Sequence, residues 1–141
     1  MPPPPNATIE PLLDGLANRI ARRDLPPVLP NVNPFAPEQV LLRLLAALAP
    51  LVPGRNYRGR LSQARMLYRF FEHEAQTAAD LATAAGIERV AGSHAHTGLV
   101  RVGLLRWAYE GPRRTFRLTR WGEEWLLAVG RCEAVPARPT T

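Results

Sequence analysis

Apolar residues recur at helical spacing in the first third of the chain, and proline interrupts them. A helix is predicted over residues 9–23, where Ile9, Leu12, Leu13, Leu16 and Ile20 fall on one side. A second helix is predicted over residues 37–49, with Val40, Leu41, Leu44, Leu45 and Leu48 on its apolar side. Such a wide apolar face requires burial, either within the chain or against a partner.

No proline occurs between Pro53 and Pro112, and the apolar spacing there predicts a continuous folded region. Three helices are predicted over residues 61–75, 78–85 and 88–102. Alternation predicts strands over residues 104–109 and 115–118, and the last helix is predicted over residues 120–130. The fold class is therefore mainly α with a small β-hairpin (α+β).

Local signals mark where these elements begin and end. Thr77 with Asp80 is typical of a capping box, and Thr119 of an N-cap. Gly103 is expected to turn the chain from helix into strand with a positive φ. Trp107, Trp121 and Trp125 are expected to pack the hairpin on the last helix, and stacking on nucleic-acid bases is the alternative.

Three short motifs follow one another in this region: Thr77-x-x-x-Leu81-Ala82, then Gly103-Leu104-Leu105, then Leu118-Thr119-x-x-Gly122. In this order they resemble winged helix-turn-helix regulators of the MarR, PadR and ArsR type. The resemblance implies a winged helix-turn-helix domain over residues 61–132 with extra N-terminal helices, and residues 1–60 match none of the motifs. Ala82 is expected to be small because the two helices of the motif nearly touch there.

The candidate recognition helix departs from the pattern of these regulators. Gly92 and Gly98 each cost about 1 kcal/mol relative to alanine inside a helix, so this helix is expected to be short and to begin near Ser93. His96 stands where the similar proteins usually have leucine.

Outside the winged helix, the sequence predicts three further parts. Residues 1–8 are expected to form a disordered proline-rich tail, and residues 133–141 a flexible one. Residues 9–60 are expected to form a helical extension for dimerisation or for binding a protein partner.

Charge favours a polyanionic partner. The net charge is +6, and all 18 basic residues are arginine, which forks onto phosphates and guanine edges. The resemblance implies a recognition helix whose outer stripe is Ser93, His94, Thr97 and Arg101 if Leu99 and Val102 face the core. It also implies a wing in which Arg113 and Arg114 sit at the tip, flanked by Arg106 and Arg117. A second basic run is expected to contact the DNA backbone, and it consists of Arg55, Arg58, Arg60, Arg65 and Arg69.

Two functions fit these features. The first is a homodimeric transcriptional regulator that binds double-stranded DNA through the recognition helix and the arginine-rich wing. The second is a winged-helix docking module for proteins in replication, chromosome organisation or RNA polymerase control. The recognition stripe, which has no Asn or Gln, favours docking, and the arginine runs favour DNA.

Other classes are disfavoured by the residues. A phosphate loop of the Walker type needs lysine, and Ser93 beside His94 lacks an orienting acid, so no enzyme or cofactor is expected. His94 and His96 with His73 or Cys132 match no standard zinc spacing, so no metal is expected. The proline start has no basic region before an apolar run, and the apolar stretch of residues 44–52 is too short to span a bilayer, so a cytoplasmic protein without a membrane partner is expected.

Overall fold

The computed structural model describes residues 9–24 and 32–139 of the 141-residue chain. The chain divides into two compact units, Met1–Val32 and Asn33–Thr141. The tail predicted for residues 1–8 lies outside the described residues.

The first unit contains one helix, α1, over Glu10–Asp24, close to the predicted bounds. Its apolar stripe is exposed along its whole length: Leu12 is 73% exposed and Ile20, the most covered member, 42%.

The second unit contains five helices and three short strands among its described residues. They are α2 (Pro37–Leu48), α3 (Tyr57–Arg69), β1 (Gln76–Thr77), α4 (Ala78–Ala85), α5 (Arg89–Val102), β2 (Leu105–Glu110), β3 (Arg113–Leu118) and α6 (Arg120–Gly130). The strands form one antiparallel sheet in the order β1-β3-β2. The predicted α+β class is confirmed. This order of elements is that of a winged helix-turn-helix, in which α5 occupies the position of the recognition helix and β2–β3 that of the wing.

Helix α3 differs from its prediction at both ends. It begins at Tyr57, not at Leu61, because the Asn56 side chain caps it by accepting a hydrogen bond from the Gly59 backbone N–H at 2.9 Å. It ends at Arg69, not at Ala75, because the chain must leave the helix to reach β1. Phe71, which the predicted helix would have included, is exposed, and Phe70 is buried.

The helix-turn-helix itself is tightly built. Thr77 and Asp80 form the predicted capping box, with reciprocal hydrogen bonds of 3.2 and 3.0 Å. The expectation that α5 begins near Ser93 is wrong, because α5 starts at Arg89 and includes Gly92. A Cβ at Gly92 would lie 3.0 Å from the Cβ of Ala82, so glycine and alanine together allow the two helices to approach.

The core of this unit lies among the five helices α2 to α6 and the hairpin. Its fully buried large side chains are Leu44, Leu48, Met66, Leu67, Leu81, Leu99, Leu104, Leu105, Phe116 and Trp125. Gly103 ends α5 with a φ of +92°, as predicted, and Thr119 caps α6 by accepting a hydrogen bond from the Gly122 backbone N–H at 2.9 Å. The hairpin and α6 are therefore joined to α5 without an intervening loop.

Helix α2 is part of this core rather than an appendage. Val40, Leu44 and Leu48 are buried. Arg43 reaches the C-terminal end of α6, where its Nε donates to the Val129 carbonyl at 3.0 Å and its Nη2 to the Gly130 carbonyl at 3.3 Å.

The chain after α6 has irregular backbone as far as Pro139. Two hydrogen bonds attach it to the winged helix: the Trp121 indole N–H donates to the Pro136 carbonyl, and the Arg138 guanidinium to the Arg101 carbonyl, both at 3.1 Å. The flexibility predicted for residues 133–141 stays a prediction.

Candidate nucleic-acid interface

The outer face of α5 is polar. Leu99 and Val102 are buried, as the predicted orientation requires. His94, Thr97 and Arg101 are exposed and Ser93 is half-buried. The structure therefore brings the four predicted recognition residues onto one accessible side of the helix.

The inner face of α5 is held by two side chains from the preceding segment. Arg55 Nη2 donates to the His94 carbonyl at 2.6 Å, and Gln63 Nε2 donates to the Ala95 carbonyl at 3.1 Å. A Cβ at Gly98 would lie 2.8 Å from Gln63 Nε2, so a larger residue there would displace the Gln63 amide. We call Arg55, Gln63 and Gly98 the α5 brace.

The wing is a regular hairpin with a tight turn. Glu110 pairs with Arg113 across Gly111 and Pro112, and Tyr109 pairs with Arg114. Arg113 is exposed at the tip, and the guanidinium of Arg114 lies 5.1 Å from the centre of the Trp107 ring. Such cation–π contact fixes the Arg114 side chain without neutralising its charge.

A cleft of about 420 Å³ separates the wing tip from the helix-turn-helix. It is lined by Thr77, Ala78, Ala79, Arg89, Tyr109, Pro112, Arg113 and Arg114. Within residues 9–24 and 32–139, none of its three arginines forms a salt bridge or a side-chain hydrogen bond. We call it the arginine cleft, and its charge suits a phosphate.

Arg89 was not among the predicted site residues. It is the first residue of α5, where the helix dipole disfavours a cation. That unfavourable position was the signal in the sequence, because a nearby anion stabilises a cation at a helix N-terminus.

The remaining wing arginines lie in an acidic setting. Arg117 Nη2 contacts Glu110 at 2.8 Å, and its Nη1 contacts Glu74 at 3.2 Å. The hydrogen bond and charge of Glu110, with the charge of Glu74, raise the pKa of Arg117. Arg106 lines a cavity with Glu72, Glu74 and Glu123. The wing residues therefore divide into Arg113 and Arg114 in the arginine cleft, and Arg106 and Arg117 beside glutamates.

The second basic run lies mainly along α3. Arg58 and Arg65 are exposed, and Arg60 is half-buried. By helical geometry Arg58 and Arg65 share one stripe, which is about 140° around the helix from Gln63, the residue that reaches α5. The structure does not bring this run to the arginine cleft, and its contact with DNA stays a prediction.

Burial separates the three tryptophans. Trp121 and Trp125 are buried in the core, as predicted, with 7% and 1% of their surface exposed. The prediction is wrong for Trp107, which is 42% exposed because β2 is an edge strand with no element over this ring among the described residues.

His96 belongs to the core rather than to the outer stripe. It is 2% exposed, and its ring centre lies 4.5 Å from that of Phe116 on β3. Burial, assisted by the positive charge of Arg114, lowers the pKa of His96. His96 therefore serves as the packing contact between the recognition helix and the wing.

Two further observations concern the described residues only. They contain no group of three or more His, Cys, Asp or Glu side chains that could hold a metal ion. None of the described helices combines the length and apolar character needed to cross a membrane.

Two solved structures are similar to this chain. The crystal structure of RV1404 from Mycobacterium tuberculosis has 15% sequence identity and a TM-score of 0.48, with 92% of this chain and 76% of that chain covered. The crystal structure of transcriptional regulator PA4135 has 18% identity and a TM-score of 0.49, with 83% of this chain and 73% of that chain covered. No protein-family model and no curated protein matches the chain.

Proposed function

We propose that the protein is a DNA-binding transcriptional regulator that docks α5 in the major groove and its wing on the adjacent backbone. The observation that carries this proposal is the arginine cleft, which lies between the wing and the start of α5. Its three guanidiniums have no acidic partner within the described residues, and the polar stripe of α5 begins at Ser93, about one turn after Arg89. This arrangement supports phosphate contacts at the cleft and base or phosphate contacts from the stripe.

We assign roles by position. Arg89, Arg113 and Arg114 bind phosphates, and Ser93, His94, Thr97 and Arg101 face the groove. Arg106 and Arg117 have glutamate neighbours, so their contribution to DNA binding is expected to be smaller than that of the cleft.

The wing is tested by replacing Arg113 and Arg114 with alanine and measuring duplex binding by fluorescence anisotropy at about 50 to 300 mM salt. Affinity should fall, and the slope of log K against log salt should flatten by about one for each phosphate that the variant no longer binds. The matched control, Arg120→Ala with Arg131→Ala, removes the same charge at the two ends of α6 and should leave the slope nearly unchanged.

An unchanged slope in the wing variant would remove the wing from the interface. If the wild-type protein does not bind duplex DNA at the lowest salt, the regulator proposal fails and the docking interpretation takes its place.

We also propose that the active form is a homodimer joined through α1. An isolated helix of 15 residues is marginal in water, and α1 exposes four large apolar side chains that a partner would cover. Its first half carries Glu10 and Asp14, and its second half Arg19. An antiparallel pair of α1 helices related by a twofold axis therefore places acids opposite arginines at both ends.

A further inference from the structure

Two large aromatic side chains are exposed on the wing. Trp107 and Tyr109 alternate along β2 and so project from the same face of the hairpin, where they are 42% and 68% exposed. Because β2 is the edge strand of the sheet, no further strand lies beside it in the described residues. The protein buries its other two tryptophans, so exposure of these rings calls for a reason.

The rings form an ordered cluster with a cation. The centres of Trp107 and Tyr109 lie 5.4 Å apart with the ring planes at 87°. Arg114 lies over Trp107 at 5.1 Å and over Phe116 at 5.6 Å, so it fixes Trp107 against the hairpin. Tyr109 has no cation over its ring among the described residues. We call Trp107, Tyr109 and Arg114 the aromatic cluster.

The aromatic cluster adjoins the arginine cleft. Tyr109 and Arg114 line both, and Arg89 and Arg113 complete the cationic side. The surface thus offers flat apolar rings next to guanidiniums that have no acidic partner in the described residues. A nucleotide has the complementary features, a flat base and an anionic phosphate one sugar apart.

We propose that the aromatic cluster binds single-stranded DNA, with bases stacked on Tyr109 and Trp107 and phosphates on Arg89 and Arg113. In a duplex the faces of the bases are stacked on one another, and only their edges are open in the grooves. Rings that need a base face therefore favour an unpaired strand. This activity is separate from duplex binding by the α5 stripe, although the two share the cationic side of the cleft.

The test compares two ligands of equal charge: a labelled dT oligonucleotide and an abasic strand of the same length. Binding is measured by anisotropy for the wild type and for Tyr109→Ala, Trp107→Leu and Trp107→Phe. The wild type should prefer dT, and loss of one ring in Tyr109→Ala or Trp107→Leu should weaken dT binding by about 5- to 150-fold. Trp107→Phe keeps a ring and should retain most of the affinity.

The readouts separate this proposal from a structural role and from the regulator proposal. Circular dichroism of Tyr109→Ala and Trp107→Leu should match that of the wild type, which shows that the fold is intact. Their abasic-strand binding should fall less than their dT binding, because an abasic strand has no base to stack on the rings. Equal wild-type affinity for dT and abasic strands, or dT binding unaffected by loss of either ring, overturns the proposal. If the wild type binds the dT strand but does not bind duplex DNA, the regulator proposal fails and this inference stands.

Discussion

At the scale of single residues, His96 has the clearest physical consequence. It is a titratable group inside the core, between the recognition helix and β3. Burial, with the nearby charge of Arg114, lowers its pKa below the ordinary 6.5, so the folded protein favours the neutral ring. The unfolded chain binds the proton more tightly than the folded chain does. His96 therefore stabilises the fold fully only above pH 6.5, and this stabilisation is lost as the pH falls towards the lowered pKa.

We expect His96→Leu to flatten the dependence of stability on pH. Between about pH 7.5 and pH 5, the wild type should lose more free energy of unfolding than the variant. Each tenfold difference in the proton affinity of His96 between the unfolded and the folded chain contributes about 1.4 kcal/mol. Urea unfolding at both pH values measures this. His94→Leu, an exposed position on the same helix, is the control and should keep the wild-type pH dependence; identical curves for wild type and His96→Leu would contradict the assignment.

Residue identity alone did not reveal which arginines belong together. Arg113 and Arg117 were both predicted to be basic residues of the wing. In the structure Arg117 pairs with Glu110 and Glu74, whereas Arg113 lines the arginine cleft. Arg55 was counted with a basic surface run, but it donates to a carbonyl of α5. These roles depend on tertiary contacts between residues far apart in sequence, which a local pattern does not contain.

At the scale of elements, the most accurate predictions were the helix ends that depend on neighbouring residues in the sequence. The capping box at Thr77, the turn at Gly103 and the cap at Thr119 fix the bounds of α4, α5 and α6, and all three depend on neighbouring residues only. The strand β1 was not predicted, because its two residues are a strand only through pairing with Thr115 and Phe116 on β3. For α5 the apolar pattern predicted residues 88–102, close to the observed Arg89–Val102. The glycine argument wrongly shortened this helix, since the space that Gly92 leaves is filled by Ala82 of another helix.

The contact between α2 and α6 can be tested by removing the Arg43 side chain. Arg43→Ala should lower the free energy of unfolding by about 1 to 3 kcal/mol, because two carbonyls at the end of α6 lose a charged hydrogen-bond donor. Arg43→Lys should recover part of the loss, since an ammonium cannot reproduce the fork. The measurement is urea denaturation followed by circular dichroism.

Arg131→Ala serves as the control for Arg43. Arg131 follows α6 directly and is exposed, so its removal takes away a charge near the same helix end and should cost less than about 0.5 kcal/mol. Equal losses for Arg43→Ala and Arg131→Ala would mean that charge at the helix end, rather than hydrogen bonding, joins the two helices.

At the scale of the whole molecule, the apolar stripe of α1 gives a test of assembly. Size-exclusion chromatography with light scattering should give the wild type twice the chain mass of 15.6 kDa. Leu12→Asp should reduce the mass to that of one chain, and because Leu12 is 73% exposed the substitution does not open a core. Asn18→Asp adds the same charge on the opposite side of α1 and should remain dimeric. A monomeric wild type would refute the dimer.

The α5 brace also affects how the proposed DNA-contacting residues can evolve. Arg55 and Gln63 bond to carbonyl groups, which every amino acid supplies, so the support of α5 does not depend on its outward side chains. Substitutions at Ser93, His94, Thr97 and Arg101 can therefore accumulate while Gly98 leaves room for the Gln63 amide. For the proposed DNA-binding function, the domain is consequently suited to selection for new target sequences, because variation at the proposed contact positions carries little penalty for folding.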